Sequence, residues 1–179
     1  MESRGFILIW SISHRGDGVA REIADRHYNR QKPGTRQFVP PGRCLVLVCD
    51  KAVWVTSWPF AKYVKHAWAG AWINSCFRRE SGAVASHMIR DAVSATRWYW
   101  PNVPILGMVT FVDRSKVRHK RDFGRCYLKS GFRQVGETKG GLLAFQMLPK
   151  DMPEAEPPNT RDGFYCCPPR FRLFGQDQE

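Results

Sequence analysis

The chain has no apolar run long enough to cross a membrane, no C-x-x-C pair, no histidines at zinc-finger spacing and no internal repeat. Each absence narrows the field. A membrane-spanning helix needs about 20 consecutive apolar residues, so none is expected. The first residues show neither the apolar segment nor the small-residue cleavage site of a secretory signal. Cys44, Cys49 and Cys76 lie in apolar, strand-like runs and read as small core residues, while Cys166 and Cys167 are adjacent in a Pro-rich stretch. All six cysteines, Cys126 included, fit reduced thiols of a cytoplasmic protein. His27 and Asp113 are the only ligand types worth pairing for a metal, and two scattered side chains assign none.

Acid is also scarce. The 179 residues carry 28 Lys and Arg against 16 Asp and Glu, for a net charge of +12 and a pI near 9.8. Such a balance speaks to partners and not to fold. It fits a polyanion, most simply nucleic acid; a basic face for an anionic cofactor, or one tuned for solubility, accounts for it as well.

The length suits one α/β domain, here residues 1–148. From Pro149 the composition turns to proline and acid. A tail over 149–179, with Phe164, Tyr165, Phe171, Leu173 and Phe174, is expected to run extended and pack on the surface.

Periodicity predicts the elements. Phe6–Ile12 reads as a buried strand and Val19–Tyr28 as an amphipathic helix. A loop bearing Arg30, Lys32 and Arg36 follows. Cys44–Cys49 and Ala52–Ser57 form a hairpin around Asp50-Lys51, and Trp72–Arg79 is the fourth strand. Between them Trp58, Phe60, Tyr63, His66 and Trp68 interleave with Lys62 and Lys65. That composition suits stacking and clamping a nucleic-acid strand, and it suits covering a core equally well. A helix spans about Val84 to Trp98, a strand Ile105–Val112, and a short helix Asp122–Lys129 with Asp122 as N-cap. Gly131 stops that helix, and Gln134–Thr138 and Leu142–Leu148 make the last hairpin around Lys139-Gly140-Gly141.

Two places carry chemistry. Arg78-Arg79-Glu80-Ser81-Gly82-Ala83 lies between a strand and a helix N-terminus, where free amides and the helix dipole favour an anion. Arg78, Arg79, Ser81, Gly82 and Ala83 are therefore the candidate cofactor-binding residues. The second is Val109–Val135: a strand ending in Asp113, a loop with Lys116, Arg118, Lys120 and Arg121, then a helix bearing Tyr127. Asp113 is expected to face a cleft at the sheet's edge.

Tyr127-Leu128-Lys129-Ser130-Gly131-Phe132 resembles the Y-x-K-x-G-F end of the GNAT acyltransferase fold, a mixed central sheet flanked by helices. There the tyrosine often serves as general acid to the leaving thiolate of coenzyme A. Lys120 stands where that family usually has Asn, and Arg79–Val84 matches only the first half of its pyrophosphate loop. Within that fold, His27-Tyr28-Asn29, Phe77-Arg78-Arg79-Glu80, Ser86, Val109–Asp113 and Gly124-Arg125-Cys126-Tyr127 resemble the Mom-type DNA-modification proteins of bacteriophages. Asn29 replaces a Ser of that family's pattern, and Val112 an Ala.

The resemblance implies anti-restriction modification of the exocyclic amine of adenine, with DNA as partner, a bacterial host as location, and acetyl-CoA or another activated acyl donor. It makes Asp113, Tyr127, His27, Ser86 and Tyr28 the candidate catalytic set. Asp113 and His27 would orient or deprotonate the amine, Tyr127 would act as acid, Ser86 would position the donor and Tyr28 would stack on the base. Arg30, Lys32, Arg36, Lys116, Arg118, Lys120 and Arg121 would hold phosphates of a duplex from which the base is flipped. Simpler roles stand beside these. Tyr127 would pack under the sheet, Asp113 cap its loop, His27 and Ser86 serve their helices, and Glu80 make a structural ion pair. The competing functions are an acetyl-CoA N-acetyltransferase on a small amine or protein, and a non-catalytic nucleic-acid-binding protein.

Overall fold

A computed structural model of the chain describes residues 9–117 and 122–159. Seven strands form one mixed sheet: β1 (Ser11–Ser13), β2 (Arg43–Cys49), β3 (Ala52–Trp58), β4 (Trp72–Arg79), β5 (Met108–Val112), β6 (Arg133–Glu137) and β7 (Leu143–Met147). Their spatial order is β1-β2-β3-β4-β5-β7-β6. Every neighbouring pair is antiparallel except β4 and β5. Three helices flank the sheet: α1 (Gly18–Asp25), α2 (Ala85–Tyr99) and α3 (Arg125–Ser130). The protein is thus α/β, as its periodicity predicts.

Strand alternation builds a core on each face. Val46, Val48, Val53 and Val55 pack against Ala20, Ile23 and Ala24 of α1. Leu45, Leu47, Trp54 and Trp72 belong to the opposite core, with Met88, Ile89, Ala92 and Val93 of α2, and Phe145 and Met147 of β7. A buried polar chain crosses that second core without leaving a donor bare. The Trp54 indole donates to Thr56, Thr56 and Thr96 share a hydrogen bond of 3.2 Å, and Thr96 donates to the Ala92 carbonyl.

Several boundaries differ from expectation, each for a local reason. The Asp17 carboxylate caps α1 through the Val19 and Ala20 amides, but the helix stops at Asp25, short of Tyr28. Asp25 accepts from the Gly34 amide and pairs with Arg30, which folds the chain back on itself. In place of Ile105, β5 begins at Met108, because Gly107 turns the chain at φ +63° and leaves Ile105 91% exposed. Asp122 does not cap α3. Gly124 does, in the left-handed region at φ +71°, with the Phe145 ring where a Cβ would lie, while Asp122 pairs with Arg125 at 3.0 Å. Gly131 ends α3 at φ +105°.

After β7 the chain runs across α2. Arg97 donates to the Pro153 carbonyl, Ser94 to that of Glu154, and the Asn159 amide to Trp10 at 2.8 Å. The tail beyond Asn159, and residues 6–8 of the first expected strand, lie outside the described residues. No helix among the described residues is long and apolar enough to cross a membrane.

Candidate active site

The sheet opens at its one parallel junction. β4 and β5 pair only from Trp72 with Met108 to Asn74 with Thr110. Past that point β4 stays with β3 to Arg79, and β5 stays with β7 to Val112. The divergence has a local cause. Val55 pairs with Cys76 and Thr56 with Asn74, so Ser75 is an extra residue in β4. Such a bulge bends its strand and raises its twist.

Asn74 locks the apex of this V. Its amide nitrogen donates to the Val55 carbonyl at 3.2 Å and to the Cys76 carbonyl at 3.0 Å. Its oxygen accepts from the Tyr127 hydroxyl at 2.9 Å and from Thr110 at 3.1 Å. All four hydrogen-bonding positions of the side chain are used, which also settles which atom is nitrogen. Within the expected strand Trp72–Arg79, no local pattern assigns Asn74 a role. Its one signal is an Asn, a poor strand former, inside a predicted strand.

A cleft of about 880 Å³ fills the opening, lined by Phe77, Arg78 and Arg79 of β4, Val112 of β5, the start of α2, and α3. Lys116, Arg125 and Lys129 add positive charge, against Asp122 as the one acid of the lining. Val84, at the N-cap of α2, offers no side-chain hydrogen bond to the first amides, and Gly82, Val84, Ala85 and Ser86 all face the cleft. Among the lining cations Arg78 has a buried Nε–H with no partner, and its terminal nitrogen lies 3.8 Å from Glu80. Arg79 reaches back to the Ala83 carbonyl at 3.3 Å and so shapes the loop. Ser81 and Ala83 are exposed on that loop and do not line the cleft. Glu80 is held by Arg26 and Arg78, a structural ion pair.

A second cleft, of about 450 Å³, lies between the end of α1, the 29–41 loop and the bulge at Ser75 and Cys76. His27 lines both clefts. Its ring stacks on Tyr28 with centroids 4.4 Å apart. The Nδ1 accepts from the Asn29 amide at 3.2 Å, which leaves the hydrogen on Nε2. Burial, and then the Arg78 charge, push the imidazole down to about 4. His27 is therefore neutral at physiological pH and presents a donor, which suits orienting a substrate better than deprotonating it.

This depression makes stability depend on pH. From pH 6.5 down to about 4 the unfolded chain binds a proton at His27 that the folded chain refuses. Stability is therefore lost as pH falls through that window, by at most about 3 kcal/mol. Urea unfolding of wild type and His27→Gln at pH 7 and pH 4.5 checks this, because the variant should lack that component of the loss.

The remaining candidates separate. Tyr127 lines the large cleft from its inner end, buried against Phe77, Phe132 and Phe145. Burial raises its hydroxyl well above the usual value, so it stays protonated. Ser86 is buried in the first turn of α2 and lines the same cleft. Tyr28 lines it too. Burial lifts its hydroxyl above the ordinary range, partly offset by a hydrogen bond from the Asp113 backbone.

The Asp113 carboxylate does not line the cleft. It accepts from the Ser115 hydroxyl at 2.6 Å and the Ser115 amide at 2.9 Å, which holds it below the usual carboxylate range. This is an Asx turn at the cleft's rim, because the chain turns at once after β5. Arg30 is spent on its own loop, bonded to Asp25 and to the Gln37 and Thr35 carbonyls, so it is not a free phosphate contact. Lys32 and Arg36 are exposed on that loop, and Lys116 lines the large cleft. Arg118, Lys120 and Arg121 lie outside the described residues. Among the described residues no three His, Cys, Asp or Glu side chains gather in a metal-binding group.

Compared with protein-family models, curated proteins and solved structures, the chain matches none.

Proposed function

We propose that this chain is a GNAT-like transferase that attaches a small acyl-derived group to the exocyclic amine of adenine in DNA, in the manner of the Mom-type proteins it resembles. The observation that carries the reading is the cation-lined cleft between the diverging parallel strands β4 and β5, closed at one end by the uncapped start of α2. An activated acyl donor of the coenzyme A kind fits this lining. Its phosphates would meet the Arg78 and Arg79 guanidinium groups and the α2 amides. Bound there, such a donor supplies a carbon activated by a good leaving group.

The smaller cleft, within the ordinary size range for a small-molecule or base pocket, would receive the flipped base. His27 stands on the wall common to the two clefts and donates through Nε2 to orient the base. Tyr28, stacked on His27 at the edge of the large cleft, would offer a ring to the base as it enters, and Asp113, whose backbone bonds Tyr28, would take the amine's proton after turning from Ser115. Ser86 faces the donor, and Tyr127, held protonated, is the donor to the leaving group. The net charge of +12 supports a polyanionic acceptor. It weighs against a small amine, the acceptor of the competing acetyltransferase reading.

Nucleoside mass spectrometry tests the proposal. DNA from cells expressing wild type should yield a heavier deoxyadenosine that is absent with Asp113→Asn. With Tyr127→Phe it should fall at least about 100-fold, the lower range for loss of a general acid, in a protein that still folds. An unmodified nucleoside pool with the wild type, in a host that supplies the donor, would overturn the DNA reading. Acetyl-CoA turnover on small amines would then be the measurement to make.

A further inference from the structure

Away from the large cleft, the loop between β3 and β4 presents an aromatic and basic platform. Trp58 ends β3 and packs against Trp72 and Trp100, with centroids 6.0 and 5.6 Å away, so the platform's base is part of the core. The chain then leaves the sheet. Phe60 precedes and Tyr63 ends a single 3₁₀ turn, Ala61–Tyr63, in which side chains three apart eclipse and so project on one side. The two rings lie edge to face, 6.4 Å apart. They are 58% and 70% exposed, and no packing need holds them out.

Cations accompany the rings. The Arg43 guanidinium lies 5.3 Å from the Trp58 centroid and 6.0 Å from that of Phe60, and the Lys62 ammonium lies 4.9 Å from Tyr63. Among the described residues no salt bridge engages Arg43, Lys62 or Lys65. From Arg26 to Arg79, both included, the sequence holds ten Lys and Arg, with Asp50 as the one acid. Asp50 sits in the β2–β3 turn, at the opposite end of the hairpin from Trp58. The platform meets the start of β4 and the large cleft its end, roughly 23 Å away at about 3.3 Å per residue.

We infer that this platform is a binding site for single-stranded nucleic acid, with bases stacking on Phe60 and Tyr63 and phosphates meeting Arg43, Lys62 and Lys65. Exposed rings give every base a sequence-tolerant face, and interleaved cations neutralise the strand between bases. A membrane surface is the other anionic partner with a use for exposed rings. It is disfavoured because two rings on a single 3₁₀ turn, with cations against them, do not make the broad apolar face of a membrane-surface helix.

The site does not depend on the transferase reading, and binding is measured apart from base modification. Fluorescence anisotropy of the full chain with a short labelled oligo(dT) should show salt-sensitive binding. Phe60→Ala/Tyr63→Ala should weaken it at least tenfold, while the aromatic exchange Phe60→Tyr/Tyr63→Phe should stay near wild type. Both positions are solvent-facing, so the fold is unaffected. Equal affinity of the double-alanine variant and wild type would overturn the inference. So would a loss seen only in sedimentation with phosphatidylserine vesicles, which would assign the platform to a lipid surface.

Discussion

An Asn74→Leu variant is expected to lose about 2–5 kcal/mol of unfolding free energy, because it orphans at least two buried groups at about 1–3 kcal/mol each. Leucine keeps the branch at Cγ but is bulkier than asparagine, so overpacking at this buried position adds to the loss of polarity. Val55 and Thr110 have second partners, since Ser75 also donates to the Val55 carbonyl at 3.3 Å and Thr110 can turn to the Asn74 carbonyl at 3.4 Å. The Tyr127 hydroxyl and the Cys76 carbonyl are left with less. Tyr127→Phe, which removes the hydroxyl itself, should cost only about 1 kcal/mol. The double variant is the sharper test. With the hydroxyl gone, Asn74→Leu should do less harm, and the two losses should fall short of additive by about 1 kcal/mol or more. Urea unfolding midpoints of the four proteins decide it. Strict additivity would mean that Asn74 and Tyr127 do not act as one unit at the apex of the cleft.

The second large effect is expected at the anion end of the same cleft. Arg78→Gln/Arg79→Gln should weaken coenzyme A binding, measured by calorimetry, by roughly 10²–10⁴-fold. That range follows from two charge-assisted contacts of about 1.5–3 kcal/mol each. Stability should change little, because the Arg78 pair with Glu80 and the Arg79 bonds to the loop are at the surface, where such contacts contribute weakly. Binding by the wild type should also weaken as salt is raised. Coenzyme A affinity unchanged in the double variant would remove the cleft as the phosphate site. Affinity too weak to measure in the wild type would point to a different donor.

Much of this architecture was legible in local signals. Alternating valines and leucines mark β2 and β3, and the Trp72–Arg79 strand has the bounds expected of it. The helix after Gly82-Ala83 shows its apolar stripe, and Gly131 its left-handed stop. These features depend on the period of a strand or helix, or on one residue's backbone freedom, and a few neighbours in the chain decide them. Boundaries set by distant partners were not legible. α1 ends where Arg30 and Gly34 reach Asp25, and α3 starts where the Phe145 ring leaves room only for glycine.

The candidate site divides in the same way. The residue types before α2 suited to an anion could be named from local pattern, and the tyrosine of α3 from the resemblance of its phrase to a known family. Their working relation could not. Asn74 is 53 residues from Tyr127 and meets it only because a bulge at Ser75 swings β4 away from β5. Asp113, expected in the cleft, turned onto Ser115, since a carboxylate just past a strand end finds the nearest amide first. Composition and periodicity were enough for an α/β fold, a strongly basic net charge and the strand-to-helix placement of the Arg78–Ala83 loop, because each is a sum over local choices. The split sheet, the polar lock at its apex, the neutral His27 and the two clefts that meet there came from tertiary packing. Burial, desolvation and hydrogen-bond satisfaction are properties of groups that the chain brings together from far apart.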